Sequence, residues 1–315
     1  MKRSLVLGFG LMLSACGGDD ASNGSGPVGP IVAPTPAPSP SETPTYQSAR
    51  DFSADRGGTG VGVKLERVHD SRSTEPYWQT TFIGTSLEQA GTGFTYVANT
   101  RSYNYYYGNE SQQFDNTFDY PSANGAVGDW NYDAAATSPF DEFKRLVVST
   151  SSSQYSFDYV GLVSWRSYDA NAIVGTEIGV REVLRMSLYG APTLGLDLPT
   201  TGVTNYRSDY GLLNLERGSY SYTMNWETRE FSGAETVPCP DPDQCPNGNL
   251  GELRLTGKLE GPDQIRGTLS GSSGFEGTFV GQFFGPQARE LGIVAGATHA
   301  TEDDRISYLF AKRTN

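Results

Sequence analysis

The sequence predicts an all-β protein in two parts, and three observations carry that prediction. Glycine is abundant, at 38 of 315 residues, which suits a chain with many tight turns. Aromatic residues make up 12 % of the chain, with 18 tyrosines against four methionines. Tyrosine fits half-buried strand faces, where its ring packs and its hydroxyl stays wet. Apolar residues recur with period two in short runs closed by Gly, Pro or Asn. No run before residue 190 holds a helical period with caps at both ends.

In the first part, Val61–Glu66 alternates apolar and other residues as a strand does. Further strand-like runs are Trp78–Ile83, Gly93–Ala98, Ser102–Tyr107, Phe143–Ser149, Tyr155–Trp165 and Ile178–Leu188. Turn signals separate them at Gly57-Gly58, Asn99, Gly108-Asn109, Ser122–Gly125 and Gly175. Residues 115–140 have weak periodicity and read as loop. The segments Tyr189–Thr193 and Asp197–Gly202 form a Pro- and Gly-rich junction. Beyond it the candidate strands are Thr204–Tyr210, Leu212–Glu216, Tyr220–Glu227, Glu252–Leu259, Ile265–Ser270, Phe275–Phe284, Leu291–Thr298 and Arg305–Ala311. Eight antiparallel strands can close into a barrel just wide enough to be filled by side chains. Phe275, Phe279 and Phe283 are spaced to share one face, which favours a filled interior over a cavity.

The N-terminus reads as an address. Lys2 and Arg3 precede an apolar stretch from Leu5 to Leu13. It is too short to cross a bilayer, which takes about 20 residues, but it suits a signal peptide. It ends in Leu13-Ser14-Ala15-Cys16, which resembles a bacterial lipobox. The resemblance implies a lipid on Cys16 and cleavage before it, and Gly17, rather than Asp, implies the outer membrane. Residues 1–15 are then signal peptide, and 16–45 are the lipidated Cys and a Gly- and Pro-rich tether. Pro27, Pro30, Pro34, Pro36, Pro38, Pro40 and Pro44 stiffen its second half. At about 3 Å per residue, a polyproline-like segment of that length reaches several tens of Å.

A net charge of −13 repels phosphate backbones, so no nucleic acid is expected as partner. The charge also serves solubility. Beyond Cys16, only Cys239 and Cys245 remain, in a short acidic loop between strand-like segments. An exported chain meets an oxidising compartment, which favours a disulfide between them. Two Cys with no nearby His make a poor metal-ligand set.

The stretch Gly274–Gly292, GFEGTFVGQFFGPQARELG, resembles the barrel signature of transferrin-binding protein B-like surface lipoproteins. The entry Tyr189-Gly190-Ala191-Pro192-Thr193, the segment Pro199–Gly202 with Tyr206 after it, and the closing Phe310-Ala311-Lys312-Arg313 match the same family in style. Ile293 stands where a second Gly is common. The close match covers about the last 125 residues. It implies a β-rich handle domain over 46–195 followed by an eight-stranded antiparallel barrel over 199–315. It also implies a lipid-anchored place on the outer membrane, facing the cell surface. Family members capture host iron-carrier proteins for a TonB-dependent transporter, and relatives bind haem or complement factors. The family's transferrin receptors have two lobes, and this chain is long enough for one.

No catalytic residue, metal ligand or resident cofactor is expected. His69 and His299 sit in no Ser/His/Asp or metal-ligand pattern. There is no nucleophile elbow, no His-Glu-x-x-His and no phosphate loop. Gly271-Ser272-Ser273-Gly274 falls in a strand-to-strand turn. The candidate binding residues are Tyr103, Tyr105, Tyr106 and Tyr107, four tyrosines in five positions among Ser, Asn and Gly. Binding loops favour this composition. Alternation places Tyr103, Tyr105 and Tyr107 on one face and Tyr106 on the other. Two readings stand, a binding surface or a strand with one face on a core. A phenolate can also ligate ferric haem. The leading function is a surface binding protein. The alternatives are a structural or adhesive envelope protein and a barrel that holds a small apolar molecule.

Overall fold

The computed structural model describes residues 45–51, 55–70, 82–100, 102–114, 119–121, 130–134, 143–149, 157–174, 177–213, 217–239, 248–300 and 304–314. The lipobox, the tether before residue 45 and Cys245 lie outside the described residues. Apart from two 3-10 turns, Gly195–Asp197 and Pro286–Ala288, regular structure among the described residues is strand, as composition and periodicity predict.

Nine strands form one antiparallel sheet: β1 (Arg56–Asp70), β2 (Phe82–Val97), β3 (Ser102–Tyr107), β4 (Glu110–Phe114), β5 (Asp119–Pro121), β6 (Trp130–Ala134), β7 (Phe143–Ser149), β8 (Val160–Val174) and β9 (Glu177–Gly190). Their order is β4-β3-β2-β1-β9-β8-β7-β6-β5, and the sheet curls until β4 meets β6. The expected loop over 115–140 therefore contains β5 and β6. Strands of three and five residues are too short to show a period.

The remaining strands close into an eight-stranded antiparallel barrel: β10 (Val203–Tyr210), β11 (Arg217–Asn225), β12 (Glu230–Pro238), β13 (Asn249–Glu260), β14 (Gln264–Gly271), β15 (Phe275–Phe284), β16 (Glu290–His299) and β17 (Arg305–Thr314). Closure is made by β10 against β17 through Asn205–Thr314, Tyr206–Arg313 and Arg207–Lys312. The expected number of strands holds, but one is exchanged. Leu212 and Leu213 form a bend instead of a strand, and their side chains are buried in the barrel core. The strand that sequence periodicity misses is β12. Its inward positions include Glu235 between Phe231 and Val237, and this buried acid interrupts the apolar alternation.

The barrel is a packed core. Tyr206, Tyr222, Phe231, Phe275, Phe279 and Phe283 point inward and are buried, with Leu253, Leu255 and Ile265 between them. Phe279 lies against Gly257 and Gly267, where any side chain would run into the ring. Several buried polar groups inside are partnered, although Glu235 Oε2 has no hydrogen-bond partner. Trp226 Nε1 donates to Thr204 Oγ1 at 2.8 Å, and Tyr222 Oη donates to Glu235 Oε1 at 2.6 Å. Burial pushes the Glu235 carboxyl up from its ordinary pKa, against the hydrogen bonds from Tyr222, Leu212 and Leu213. Rings occupy the space that a lipocalin-like ligand would need, which sets aside the apolar-ligand barrel.

The outer wall of β15–β17 is covered as well. Val280, Phe284, Val294 and Phe310 pack against Val61 and Val63 of β1, Val160 and Leu162 of β8, and Leu188 of β9. Hence β16 is buried continuously from Glu290 to Ala297, where a strand with one wet face would alternate. The opposite face of the nine-stranded sheet holds a second, aromatic core of Phe94, Tyr96, Tyr103, Tyr105, Tyr107, Phe114, Trp165 and Tyr189. Pro44–Asn315 forms one compact unit.

Candidate binding groove between sheet and barrel

The motif residues converge on one corner, the joint between sheet and barrel. Gly285 takes φ +72°, and a side chain there would strike the Tyr159 ring. Its N–H bonds Ala191 O at 2.9 Å, and its carbonyl accepts from Thr193 Oγ1 at 2.7 Å. Ala288 is buried, and its carbonyl accepts from Tyr206 Oη at 2.8 Å. Asp197 Oδ2 accepts from Tyr46 Oη at 2.8 Å and from the Gln287 N–H at 2.9 Å. Glu290 is fully buried. Its carboxylate accepts the N–H groups of Asp158, Tyr159 and Val160 at 2.9, 2.8 and 3.1 Å, at the start of β8. The signature that suggests the family is therefore a structural clasp. From Gly285 to Glu290 its polar groups are spent on turns and on the joint.

The four candidate tyrosines separate as alternation predicts. Tyr103, Tyr105 and Tyr107 belong to the aromatic core, at 3, 0 and 2 % exposure. Tyr105 meets Trp165 edge-on at 5.8 Å, and its hydroxyl shares a hydrogen bond with Ser187 Oγ. Tyr106 points to the other side and is 43 % exposed. Beneath the core, Glu110 binds Arg185 and, at 3.2 Å, Lys64 Nζ. Burial works against ionisation, but these two cations hold the Glu110 carboxyl below the usual carboxylate range. The Arg185 guanidinium also lies 3.9 Å over the Trp165 ring.

Tyr106 forms one wall of a groove of about 540 Å³, where β1–β3 meet β14 and β15. Gly93, paired with Tyr106 across the ladder, supports one side of the ring. Gly60, Gly91 and Gly108 leave the floor without side chains, and the space above Gly91 is open. Thr59 contributes a hydroxyl, while Thr92, in register with Tyr107, turns its side chain to the aromatic-core face. The far wall is Gln264 and Gln282, which face each other across the β14–β15 ladder. Gln282 is 4 % exposed. Its Nε2 donates to Asp263 Oδ2 at 2.6 Å, while its Oε1 is buried with no hydrogen-bond partner. Burial raises the Asp263 pKa, partly offset by that Gln282 hydrogen bond. Among the described residues, none that lines the groove is charged. The sequence signals Tyr106 but not the groove, because Gln264 and Gln282 lie more than 150 positions away.

A second cleft of about 260 Å³ is lined by Arg67, Arg166 and Arg305. These cations are engaged by the protein itself. Arg166 Nε donates to Glu182 Oε1 at 2.7 Å, Arg67 donates to Asp304 O, and Arg305 lies 4.9 Å over Phe275. Among the described residues no three His, Cys, Asp or Glu side chains group as metal ligands. The His299 ring sits 3.2 Å from Ser273 O and packs on Phe275 at 4.6 Å. Cys239 closes the neck of the β12–β13 hairpin, its N–H bonding Gly248 O at 3.2 Å.

No protein-family model matches the chain, and no curated protein matches it in sequence. Solved structures similar to it include intact Ap-TbpB with its N and C lobes, at 10 % identity, TM-score 0.34, covering 85 % of this chain and 79 % of that one. Transferrin binding protein B of serogroup B Neisseria meningitidis follows at 12 % identity and TM-score 0.28, covering 83 % and 77 %. A DUF3598-family protein of unknown function from Nostoc punctiforme is similar at 11 % identity and TM-score 0.23, covering 81 % and 96 %. No ligand or partner is assigned to this chain from these likenesses.

Proposed function

We propose that the protein is a lipid-anchored binding protein of the outer-membrane surface, and that the groove beside Tyr106 takes its ligand. Cys16 supplies the anchor, and the tether through residue 45 carries the body outward. The observation that supports binding is the groove itself. It is an uncharged trough with a glycine floor and an open aromatic face, in a body whose barrel interior is filled by its own rings. It offers surface and hydrogen-bonding groups rather than a nucleophile paired with a base, so binding is favoured over an enzyme.

The resemblance of Gly274–Gly292 gives the reading its direction. The cargo is then a host iron-carrier protein or haem, handed to a TonB-dependent transporter. Tyr106 makes the contact, and Tyr103, Tyr105 and Tyr107 brace the sheet behind it. Two measurements test this. Cys16→Ser should leave unprocessed precursor or free the protein from the membrane fraction; a processed, membrane-bound variant overturns the anchor. Cells displaying the protein should bind haem or a host iron carrier saturably, and Tyr106→Ala should weaken that binding about tenfold, the scale of a removed aromatic contact. Binding that ignores Tyr106→Ala removes the groove from the iron-carrier site.

A further inference from the structure

The groove's chemistry narrows its ligand. Its wall groups are of three kinds: one aromatic face, two carboxamides and the Thr59 hydroxyl. Carboxamides and hydroxyls each donate and accept hydrogen bonds. A ligand suited to them must do both, several times, within a short span. A purely apolar ligand would cover Gln264 and Gln282 without partners, which costs about 1–3 kcal/mol for each group stranded. Among the described residues an anion would find no lining cation, and the Asp263 carboxyl lies directly behind Gln282. A cation would find no lining carboxylate. The buried Gln282 Oε1 is an acceptor that lacks a donor, and the Asp263 hydrogen bond fixes which end of the amide it is. The Tyr106 ring rests one face on Gly93 and offers the other, a flat platform for C–H groups. Gly91 keeps the volume above the floor clear.

We infer that this groove binds a neutral saccharide, stacked on Tyr106 and hydrogen-bonded by Gln264, Gln282 and the Thr59 hydroxyl. The inference rests on the groove being the binding site. The saccharide is either free or the glycan of a partner protein, and the chemistry is the same for both.

The test uses the full chain in detergent. Isothermal titration is run with maltohexaose, cellohexaose and tri-N-acetylchitotriose, and with a neutral N-glycan on its carrier protein before and after glycosidase treatment. The expected result is 1:1 binding of at least one probe with a dissociation constant below about 1 mM. Tyr106→Ala should weaken it at least tenfold. Gly91→Val, which fills open space without touching the aromatic core, should abolish it with circular dichroism unchanged. Binding of the free sugars identifies a free ligand; binding confined to the untreated glycoprotein identifies a glycan. If no saccharide probe binds, the saccharide class is overturned. An uncharged blocked hexapeptide then reports on the groove: binding lost in Gly91→Val keeps the groove and replaces the ligand class. A saccharide bound equally by wild type and both variants sits elsewhere, and the groove reading falls with it.

Discussion

Replacing Glu290 by Ala should lower the stability of the body by about 3–5 kcal/mol, the scale for removing one partner from a buried charged network. The carboxylate is fully buried and accepts three consecutive backbone N–H groups at the start of β8, with Lys312 Nζ at 3.8 Å. Alanine strands all three donors, of which the Val160 N–H is fully buried. The urea midpoint should fall with little change in m-value, and the Asp158, Tyr159 and Val160 amides should exchange faster than their neighbours. A shift under 1 kcal/mol would show that these donors find other partners. The pH dependence has a definite sign. Burial raises the Glu290 pKa, against the pull of the three amides and Lys312. A carboxyl raised on folding contributes stability below its unfolded value, about 4.3, and loses it as pH rises toward the folded value. The margin of wild type over Glu290→Gln should therefore be widest near pH 4 and shrink toward neutrality. A margin that grows with pH contradicts the raised pKa.

The tyrosine run should give opposite results at adjacent positions. Tyr105→Ala removes a fully buried ring from its edge-on contact with Trp165 and leaves Ser187 without its hydroxyl partner. The expected cost is about 3–5 kcal/mol, as for other large-to-Ala changes in cores. Tyr106→Ala removes a ring with 43 % of its surface in water and should cost under about 1 kcal/mol. Chemical denaturation of the two variants beside wild type decides it. Equal effects would mean that the β3 register, which sets Tyr106 against Gly93, is not the one described.

The contrast shows how far the sequence reads. Period-two alternation is a direct imprint of a strand with unlike faces, so the separation of Tyr106 from Tyr103, Tyr105 and Tyr107 was legible. So was the inward row Phe275, Phe279 and Phe283. The signal fails where a face breaks its own rule. In β12 an acid points into the barrel and is matched by Tyr222, a partner on the preceding strand that no local window contains. At Leu212-Leu213, two apolar residues mimic a strand while capping a barrel end. The groove was not legible at all. Its glycines carry no side-chain signal, and its glutamines reach Tyr106 only through the packing of two sheets that meet late in the chain. The Gly274–Gly292 stretch draws attention for its resemblance; its residues from Gly285 to Glu290 fasten the joint, and its Gln282 lines the groove.

The first described residues of the body are fastened at its joint. Tyr46, the second described residue, donates to Asp197 and accepts the Leu194 N–H at 3.1 Å, and its ring meets Tyr159 edge-on at 6.1 Å. Asp197 in turn holds the Gln287 amide of the barrel's 3-10 turn. With Cys16 as the proposed anchor, a pull through the N-terminal segment would enter at the seam of two packed sheets rather than at a free strand edge. Such a pull would load several bonds at once instead of unzipping one ladder pair by pair.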